Sequence, residues 1–351
     1  MHFRFDGERG INLSRGSSGF QLRLNHHTAY RDLNPGVGDL LLMGHVLLSS
    51  RASCKNSRGN LACCQSEIKA SHLLCSGWFM LESTFLFLPG IGHATERRLW
   101  NQGIVDWHNF LARSVIPGIS SARKHWYDGL ILEALAYVAS GSWRTLGQQF
   151  PPSEHWRLFN HLRPRTAFLD IETTGASRGR GHITVVGIWS QWGLTQLVWG
   201  ETLTPARLAE EFARYDLLVT FGGSRFDLPY LRIAFPTVPW DHAHFDLCLA
   251  ARRVGLSGGL KSIERTMGIE RDPQIRDLNG WDAVWLWRRW IFRRDRTAYT
   301  RLLAYNAADV RHLQPLAEWL YAQLAARSGP QSDAGQHSRV HTRSSEQSRS
   351  R

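Results

Sequence analysis

The feature that most restricts the fold of this chain is an apolar segment ending in two acidic residues. Residues 168–175 read Phe-Leu-Asp-Ile-Glu-Thr-Thr-Gly. Side chains alternate along a strand, so Asp170 and Glu172 point to the same side. Asp-x-Glu alone would be read as two solvated acids at a strand end. The apolar lead-in and the Thr-Thr-Gly turn favour a buried strand that ends in a metal site.

Two later acidic residues can join this pair. Asp227 follows the apolar segment 217–221 and precedes a short predicted helix, where it either caps that helix or reaches the strand ends. Asp309 lies four residues after Tyr305 on a predicted helix, so the two share a face, and an acid among apolar and small residues needs a partner. Carboxylates gathered at one point repel each other unless hard cations such as Mg²⁺ or Mn²⁺ lie among them.

Residues 166–325 show a definite order of elements. Strands are predicted at 166–171, 182–190 and 194–199, with glycine-containing turns between them. Two further strands follow, at 217–221 and at 244–247, the second continuing into a helix through 253. The other helices are predicted at 205–215, 226–234, 260–267, 281–294 and 299–324. Three meandering strands followed by alternating helices and strands predict an α/β domain with the element order of a ribonuclease H-like fold.

The acidic motifs together resemble the DEDD superfamily of 3′→5′ exonucleases. They match its tyrosine branch, because Tyr305 stands four residues before the last Asp. More narrowly, residues 80–325 resemble the YprB-type ribonuclease H-like proteins. The strings that carry this resemblance are 216–221 (Asp-Leu-Leu-Val-Thr-Phe), 244–247 (His-Phe-Asp-Leu), 258–264 (Gly-Gly-Leu-Lys-Ser-Ile-Glu) and 304–310 (Ala-Tyr-Asn-Ala-Ala-Asp-Val).

The resemblance implies an enzyme that hydrolyses phosphodiester bonds of nucleic acid in the 3′→5′ direction, without a nucleotide cofactor. It implies that Tyr305 positions the attacking water. It also implies that two Mg²⁺ or Mn²⁺ ions are held by the four carboxylates of Asp170, Glu172, Asp227 and Asp309. The partner would be a single-stranded or 3′-ended nucleic acid, and the products would be nucleoside 5′-monophosphates.

One position departs from the family pattern. The family has Asn where Gly222 stands, in a Phe-Asn-Gly turn. This departure supports a second hypothesis, a non-catalytic nucleic-acid-binding adaptor with a vestigial nuclease site, whereas the intact acidic residues favour the enzyme. Asp246, in a His-x-Asp-Leu context, is interpreted as a residue that orients the fold rather than as a fifth ligand.

A small all-helical domain is predicted at residues 80–163. Gly and Pro breaks separate its helices, which are predicted at 96–102, 107–114 and 120–140. Proline-containing segments at 151–152 and 163–164 predict a linker to the ribonuclease H-like domain, residues 164–327.

The helical domain begins with a glycine-rich segment. Residues 88–95 read Leu-Pro-Gly-Ile-Gly-His-Ala-Thr and resemble the hairpin of a helix-hairpin-helix motif. Gly90 and Gly92 would let backbone N–H groups approach a DNA phosphate at the start of a helix. The usual Lys of that helix start falls at Ala94, and a plain glycine-rich turn that packs the small domain fits the residues equally well.

Tryptophan and arginine are concentrated in the predicted helix 281–294. The i, i+4 spacing of Trp281 and Trp285 favours a core-facing tryptophan stripe with a solvated arginine face. The alternative is a single-strand track on which exposed tryptophans stack with bases. At least one arginine is expected to contact phosphate, and Lys261 and Arg289 are predicted as nucleic-acid contacts.

The net charge of +12 over 351 residues favours a polyanionic partner. Residues 1–79 carry 9 basic and 5 acidic side chains and residues 328–351 carry 4 and 2, so half of that charge lies in the flanks. Residues 1–79 are interpreted as a disordered or non-native leader before a start at Met80, and residues 328–351 are predicted to be disordered. A cytoplasmic protein is predicted, because no signal segment opens the chain and no apolar run could span a bilayer.

Overall fold

The computed structural model of this protein describes residues 80–175 and 181–330. The predictions of a leader at 1–79 and of a disordered tail lie outside the described residues, except that the last helix continues to Ser328. The described residues belong to one compact unit. No helix within them is both long and apolar enough to cross a membrane.

The described chain begins with helices, as predicted. Ser120 caps the longest of them by accepting a hydrogen bond from the backbone N–H of Arg123, and Gly141, with a φ of 69°, ends it in the left-handed region. The helices of this part are α1 (His93–Asn101), α2 (Trp107–Ala112), α3 (Ser121–Ser140), α4 (Trp143–Gln149) and α5 (Phe159–Leu162).

The chain between the prolines that predict a linker contains a 3₁₀ helix, Pro152–Leu158, which is buried from Glu154 onward. The Arg157 side chain is fully buried there. Its charge is satisfied, because its Nε donates to Glu154 Oε2 at 2.8 Å and its guanidinium lies over the ring of Trp156. Phe159 and the strand residue Phe168 share one hydrophobic cluster. The helical part and the sheet therefore have a common core, and the domain boundary at 163/164 stays a prediction.

A five-stranded mixed sheet follows, with strand order β3-β2-β1-β4-β5. β1, β2 and β3 pair antiparallel, whereas β4 and β5 run parallel to β1 and to each other. This arrangement confirms the predicted meander and the alternating elements after it. The strands are β1 (Thr166–Thr173), β2 (Ile183–Ser190), β3 (Gly193–Val198), β4 (Leu217–Thr220) and β5 (Ala243–Asp246).

Helices cover both faces of this sheet. Leu169 and Ile171 of β1 pack in one cluster with Leu208 and Phe212, while Val185 of β2 packs on the other face. The helices are α6 (Pro205–Phe212), α7 (Asp227–Ala234), α8 (Leu247–Arg253), α9 (Leu260–Thr266), α10 (Gly280–Arg293) and α11 (Arg296–Ser328). α11 lies against β1 and β2, so its side chains meet those of β1 that point away from α6.

The prediction that Trp281 and Trp285 face the core is wrong. They are 69% and 63% exposed. α10 buries its opposite face instead, through Ala283, Leu286 and Trp287. The i, i+4 spacing does put the two tryptophans on one face, but that face points to solvent.

Candidate metal centre

β1 fixes two carboxylates. Asp170 and Glu172 alternate with the core residues Leu169 and Ile171, so they point to the α11 side of the sheet. β1 is the central strand of the sheet: it pairs with β2 at both acids, where Asp170 lies opposite Gly187, and with β4 at its start, over residues 166–168. The positions of both acids therefore follow from the centre of the sheet rather than from a loop.

α11 brings the third carboxylate to this pair. Ligand oxygens of Asp170, Glu172 and Asp309 all lie within 4.8 Å of one another. Tyr305, one helical turn before Asp309, lines the same cleft of about 570 Å³, and Trp281 of α10 forms part of its wall. The structure thus brings together four of the five predicted site residues around one cleft.

Asp227 lies beside this group rather than within the three that share the 4.8 Å distance. It is the first residue of α7, and its Oδ1 accepts a hydrogen bond of 3.2 Å from the backbone N–H of Ile171. The prediction that Asp227 caps this helix is wrong, because the N-cap residue is Phe226 and no side chain caps α7. The alternative, that Asp227 reaches the end of β1, agrees with this hydrogen bond. Its role as a metal ligand stays a prediction.

Burial and mutual repulsion disfavour ionisation of these acids. Burial, and then the charges of Asp309 and Glu172, raise the pKa of Asp170 well above its ordinary value. Burial, and then the charges of Asp309 and Asp227, do the same for the pKa of Glu172. Burial also raises the pKa of Asp227 to about 7. The group as it stands needs either protons or a cation to offset its charge.

A divalent cation of the Mg²⁺ or Mn²⁺ type fits this donor set. The donors are carboxylate oxygens, which hard cations prefer, and they are spaced closely enough to share an ion. The raised pKa values express the same physical fact, since a cation among the oxygens would relieve the repulsion that raises them. Asp170, Glu172 and Asp309 are the residues that could hold it.

Arg271, which no sequence pattern indicated, contacts this centre. Its Nη2 donates to Asp309 Oδ1 at 2.5 Å and to Glu264 Oε1 at 2.7 Å, and its Nε donates to Glu264 Oε2 at 2.7 Å. His312 Nδ1 lies 3.0 Å from Glu264 Oε1. Glu264 is buried in α9, so this network ties Asp309 to α9.

Asn306, next to Tyr305 on α11, orients Asp170. Its Nδ2 donates to Asp170 Oδ2 at 3.1 Å, and its Oδ1 accepts from Gln196 Nε2 at 3.0 Å. A Cβ on Gly187 would lie 2.1 Å from Asn306 Oδ1, so this amide fits only because β2 carries glycine there. Ordinary strand patterns give Gly187 no special meaning, and the contact exists only after β2 and α11 have packed.

Asp246 shapes the loop after β4, in agreement with its interpretation as an orienting residue. Its carboxylate accepts backbone hydrogen bonds from Gly222 at 2.8 Å and Ser224 at 3.1 Å, and a third from Cys248 at 3.0 Å. Although burial would raise the pKa of Asp246, the Ser224 hydroxyl and the backbone N–H groups of Gly222 and Ser224 hold it below its ordinary value. Gly222 has a φ of 80°, a left-handed conformation that Gly and Asn adopt most readily.

The residues predicted to contact nucleic acid lie in three places. Lys261 Nζ lies 5.1 Å from the centroid of the Tyr305 ring. It is thus next to the carboxylates of Asp170, Glu172 and Asp309, which we call the acidic centre. Arg289 is on α10, where its guanidinium pairs with Asp295. Gly90, with a φ of 82°, and Gly92, the N-cap residue of α1, lie in the glycine-rich turn of the helical part.

Comparison with known proteins shows what this chain is similar to. None of the curated protein sequences matches the chain significantly. The family B DNA polymerase of the archaeon Pyrobaculum calidifontis is 18% identical over 46% of this chain and 25% of its own, with a TM-score of 0.38. RNase D of Escherichia coli is 18% identical over 49% of this chain and 43% of its own, with a TM-score of 0.36. The chain thus spans less than half of either protein.

The exonuclease domain of Nibbler from Aedes aegypti is 17% identical over 50% of this chain and 88% of its own, with a TM-score of 0.36. Residues 167–321 match the family model RNase_H_2 of the RNase H superfamily. This range runs from β1 into α11 and contains every residue of the acidic centre. The sheet and the helices that carry the carboxylates are therefore the part of this chain that is similar to the RNase H superfamily.

Proposed function

We propose that this protein is a metal-dependent 3′→5′ exonuclease that hydrolyses phosphodiester bonds of nucleic acid. The observation that carries the proposal is the meeting of Asp170, Glu172 and Asp309 within 4.8 Å beside an open cleft. Two of these carboxylates, Glu172 and Asp309, are buried and Asp170 is partly buried. Such a group is costly to a fold, so its presence in a cleft favours a functional role. The match of residues 167–321 to the RNase H superfamily supports a nuclease in particular.

The acidic residues would hold the cofactor. Asp170, Glu172 and Asp309 would bind Mg²⁺ or Mn²⁺, with Asp227 as the fourth carboxylate predicted from the DEDD resemblance. Two such ions, when bound, stabilise both the attacking and the leaving oxygen of a phosphodiester. The protein contributes the fixed positions of the oxygens, because β1 pairs with β2 at both of its acids and Arg271 and Asn306 each hold one carboxylate.

Tyr305 would orient the attacking water. Burial, and then the charges of Asp309 and Glu172, raise the pKa of Tyr305, so the phenol stays protonated at neutral pH. A protonated phenol can donate one hydrogen bond and accept others, but it cannot serve as a general base there. Its contribution is therefore the position of the water rather than removal of its proton.

The helical part would hold the nucleic acid further from the cleft. Gly92 precedes α1 and provides no side-chain cap for its N-terminus, and Gly90 adopts a conformation that a residue with a Cβ rarely takes. An unblocked helix start of this type suits a backbone phosphate. We assign this turn a sequence-independent phosphate contact, with Lys261 as a further contact near the cleft and Arg289 as one along α10.

The adaptor hypothesis has less support than the enzyme. It rested on Gly222 in place of the Asn of the family. Because the loop needs a φ of 80° at this position and donates only a backbone N–H to Asp246, glycine satisfies it as well as Asn does. The carboxylates themselves are all present.

End-labelled single strands test the proposal. The full-length protein is incubated with DNA and RNA strands labelled at either end, with Mn²⁺ or with EDTA. A 3′→5′ exonuclease shortens 5′-labelled strands one nucleotide at a time, and it releases the label of 3′-labelled strands as a mononucleotide in the first step. The reverse pattern would overturn the polarity. Binding of the strands without any release in Mn²⁺ would favour the adaptor.

A further inference from the structure

α10 presents an aromatic face to solvent. Trp281, Trp285 and Phe292 are 69%, 63% and 80% exposed, and Arg288 lies among them. At 3.6 residues per turn these four side chains fall within about 60° of one another around the helix. We name Trp281, Trp285, Arg288 and Phe292 the aromatic face of α10. Three large rings exposed on one helix face form an apolar surface that commonly marks a binding site.

The aromatic face begins at the acidic cleft. Trp281 lines that cleft together with Asp170, Glu172 and Tyr305. A rise of about 1.5 Å per residue puts Trp285 about 6 Å, and Phe292 about 16 Å, further along the axis of α10. The rings thus form a row that starts at the carboxylates and leads away from them.

The charge around the row is positive. Arg288 lies between the rings, and the exposed Arg293 and Arg294 lie at the far end of α10. The acids close to the row are already engaged, because Asp282 belongs to the capping box of α10 and Asp295 pairs with Arg289. Exposed rings interleaved with guanidinium groups suit a ligand that has both flat apolar surfaces and a chain of anions.

We propose that the aromatic face of α10 is a stacking platform for the unpaired bases of a single-stranded nucleic acid whose end lies in the acidic cleft. This inference rests on the proposed nuclease function and specifies its substrate as a single strand. Bases in a duplex already stack on each other, so only unpaired bases can offer their faces to the tryptophans. Stacking does not distinguish one base from another, so the platform would hold strands of any sequence.

The alternative occupant of an exposed aromatic face is a second copy of this chain. Continuity with the cleft and the arginines of α10 favour the nucleic acid, because a self-association surface would have to bring those like charges together. Self-association is therefore an outcome that the experiment must separate.

Binding measured without turnover tests the platform. Full-length protein in EDTA is titrated against fluorescently labelled strands of about twelve nucleotides, as single strands, as blunt duplexes and as an abasic strand. Replacement of both tryptophans, Trp281→Ala with Trp285→Ala, should weaken binding of the single strand about tenfold or more and leave the abasic strand unchanged. Trp285→Phe should retain most of the affinity, because it keeps a stacking ring.

Two controls accompany these variants. Trp192→Ala removes a tryptophan that is 48% exposed in the turn between β2 and β3, at the end of the sheet opposite Glu172, and should leave binding unchanged. Arg288→Ala should weaken the single strand and the abasic strand alike and reduce the salt dependence of binding.

Three results would overturn the platform. The first is that the double variant loses affinity equally for base-bearing and abasic strands. The second is that its affinity for the single strand does not change while it keeps the oligomeric state of the wild type. The third is that its affinity does not change but a dimer becomes a monomer. The last result would assign the face to self-association. Failure of the platform and failure of the proposed function give different results. Tryptophan-dependent binding without Mn²⁺-dependent hydrolysis would support the platform and contradict the nuclease. Hydrolysis without tryptophan-dependent binding would support the nuclease and contradict the platform.

Discussion

Arg271 donates a hydrogen bond of 2.5 Å from Nη2 to Oδ1 of Asp309, a carboxylate of the acidic centre. The same guanidinium binds both oxygens of Glu264, and its side chain is only 4% exposed. A buried cation that joins two buried acids fixes their relative positions and offsets part of their charge. The acidic centre is therefore anchored to α9 as well as to β1 and α11.

Removal of the Arg271 guanidinium should lower the stability of the fold, by an amount that depends on Glu264. Arg271→Met leaves two acids buried without their partner, so the free energy of unfolding should fall by about 3–5 kcal/mol. The double variant Arg271→Met with Glu264→Gln should lose less than the sum of the single losses. Urea unfolding in EDTA measures all three variants. Additive losses would show that Arg271 and Glu264 do not interact. The control is Arg207→Met, at an exposed pair with Glu210, which should leave the urea midpoint nearly unchanged.

Stabilisation by Mn²⁺ should increase as the pH rises from about 5 to 8. Unfolded carboxyl groups ionise near pH 4. Burial raises the pKa of Asp227 to about 7 in the folded protein, and the pKa values of Asp170 and Glu172 are raised as well. The folded protein therefore binds more protons than the unfolded chain between these values, so the metal-free protein loses stability as the pH rises through that window.

A cation competes with the same protons, so its effect should be small near pH 5 and large near pH 8. The melting temperature in Mn²⁺ minus that in EDTA, measured across this range, checks the prediction. An increment that stays constant or decreases with pH would contradict it.

Gly187→Ala should disturb the centre through Asn306. The added Cβ would lie 2.1 Å from Asn306 Oδ1, so the amide must move and its hydrogen bond to Asp170 is lost. We expect destabilisation of about 1–3 kcal/mol and a reduction of turnover by about tenfold or more. The matched control is Gly129→Ala on the exposed face of α3, where no atom lies within 4 Å of the new Cβ, and which should stabilise slightly. Normal turnover of Gly187→Ala would show that turnover does not depend on the hydrogen bond from Asn306 to Asp170.

Tyr305→Phe should lower the catalytic rate by roughly 10- to 100-fold with little change in substrate affinity. A hydroxyl that positions the attacking water acts in the transition state, so its loss affects turnover more than binding. Single-turnover rates and affinities for a labelled strand are measured separately. An unchanged rate would make Tyr305 a packing residue, and a defect in affinity alone would make it a substrate contact.

The elements of the sheet could be predicted because their signals are local. The strand predicted at 182–190 is β2, Ile183–Ser190, since alternation and a glycine turn define it within a few residues. Asp170 and Glu172 could be paired for the same reason, because the period of a strand fixes their common side. The meeting of this pair with Asp309 required the family resemblance, since more than 130 residues separate them.

The exposure of α10 could not be predicted, because helical spacing shows which residues share a face but not which face is buried. Both faces of α10 carry large apolar residues, with Trp281 and Trp285 on one and Leu286 and Trp287 on the other. Arg271 was missed for a different reason. It lies in the loop after α9, where no periodic pattern applies, and its contact with Asp309 spans 38 positions of the chain.

If the carboxylates of Asp170, Glu172 and Asp309 form a catalytic metal centre, loss of one of their charges should stop hydrolysis. Asp170→Asn removes one charge from this centre without changing the shape of the side chain, and the amide can no longer serve as a charged ligand. The measurement is the rate of mononucleotide release from a 3′-labelled single strand in Mn²⁺, for the wild type, for Asp170→Asn and for Glu210→Gln, an exposed acid of α6. We expect Asp170→Asn to abolish release while its fold stays intact by circular dichroism, and Glu210→Gln to behave as the wild type. Release by Asp170→Asn at near the wild-type rate would contradict a catalytic role of this centre.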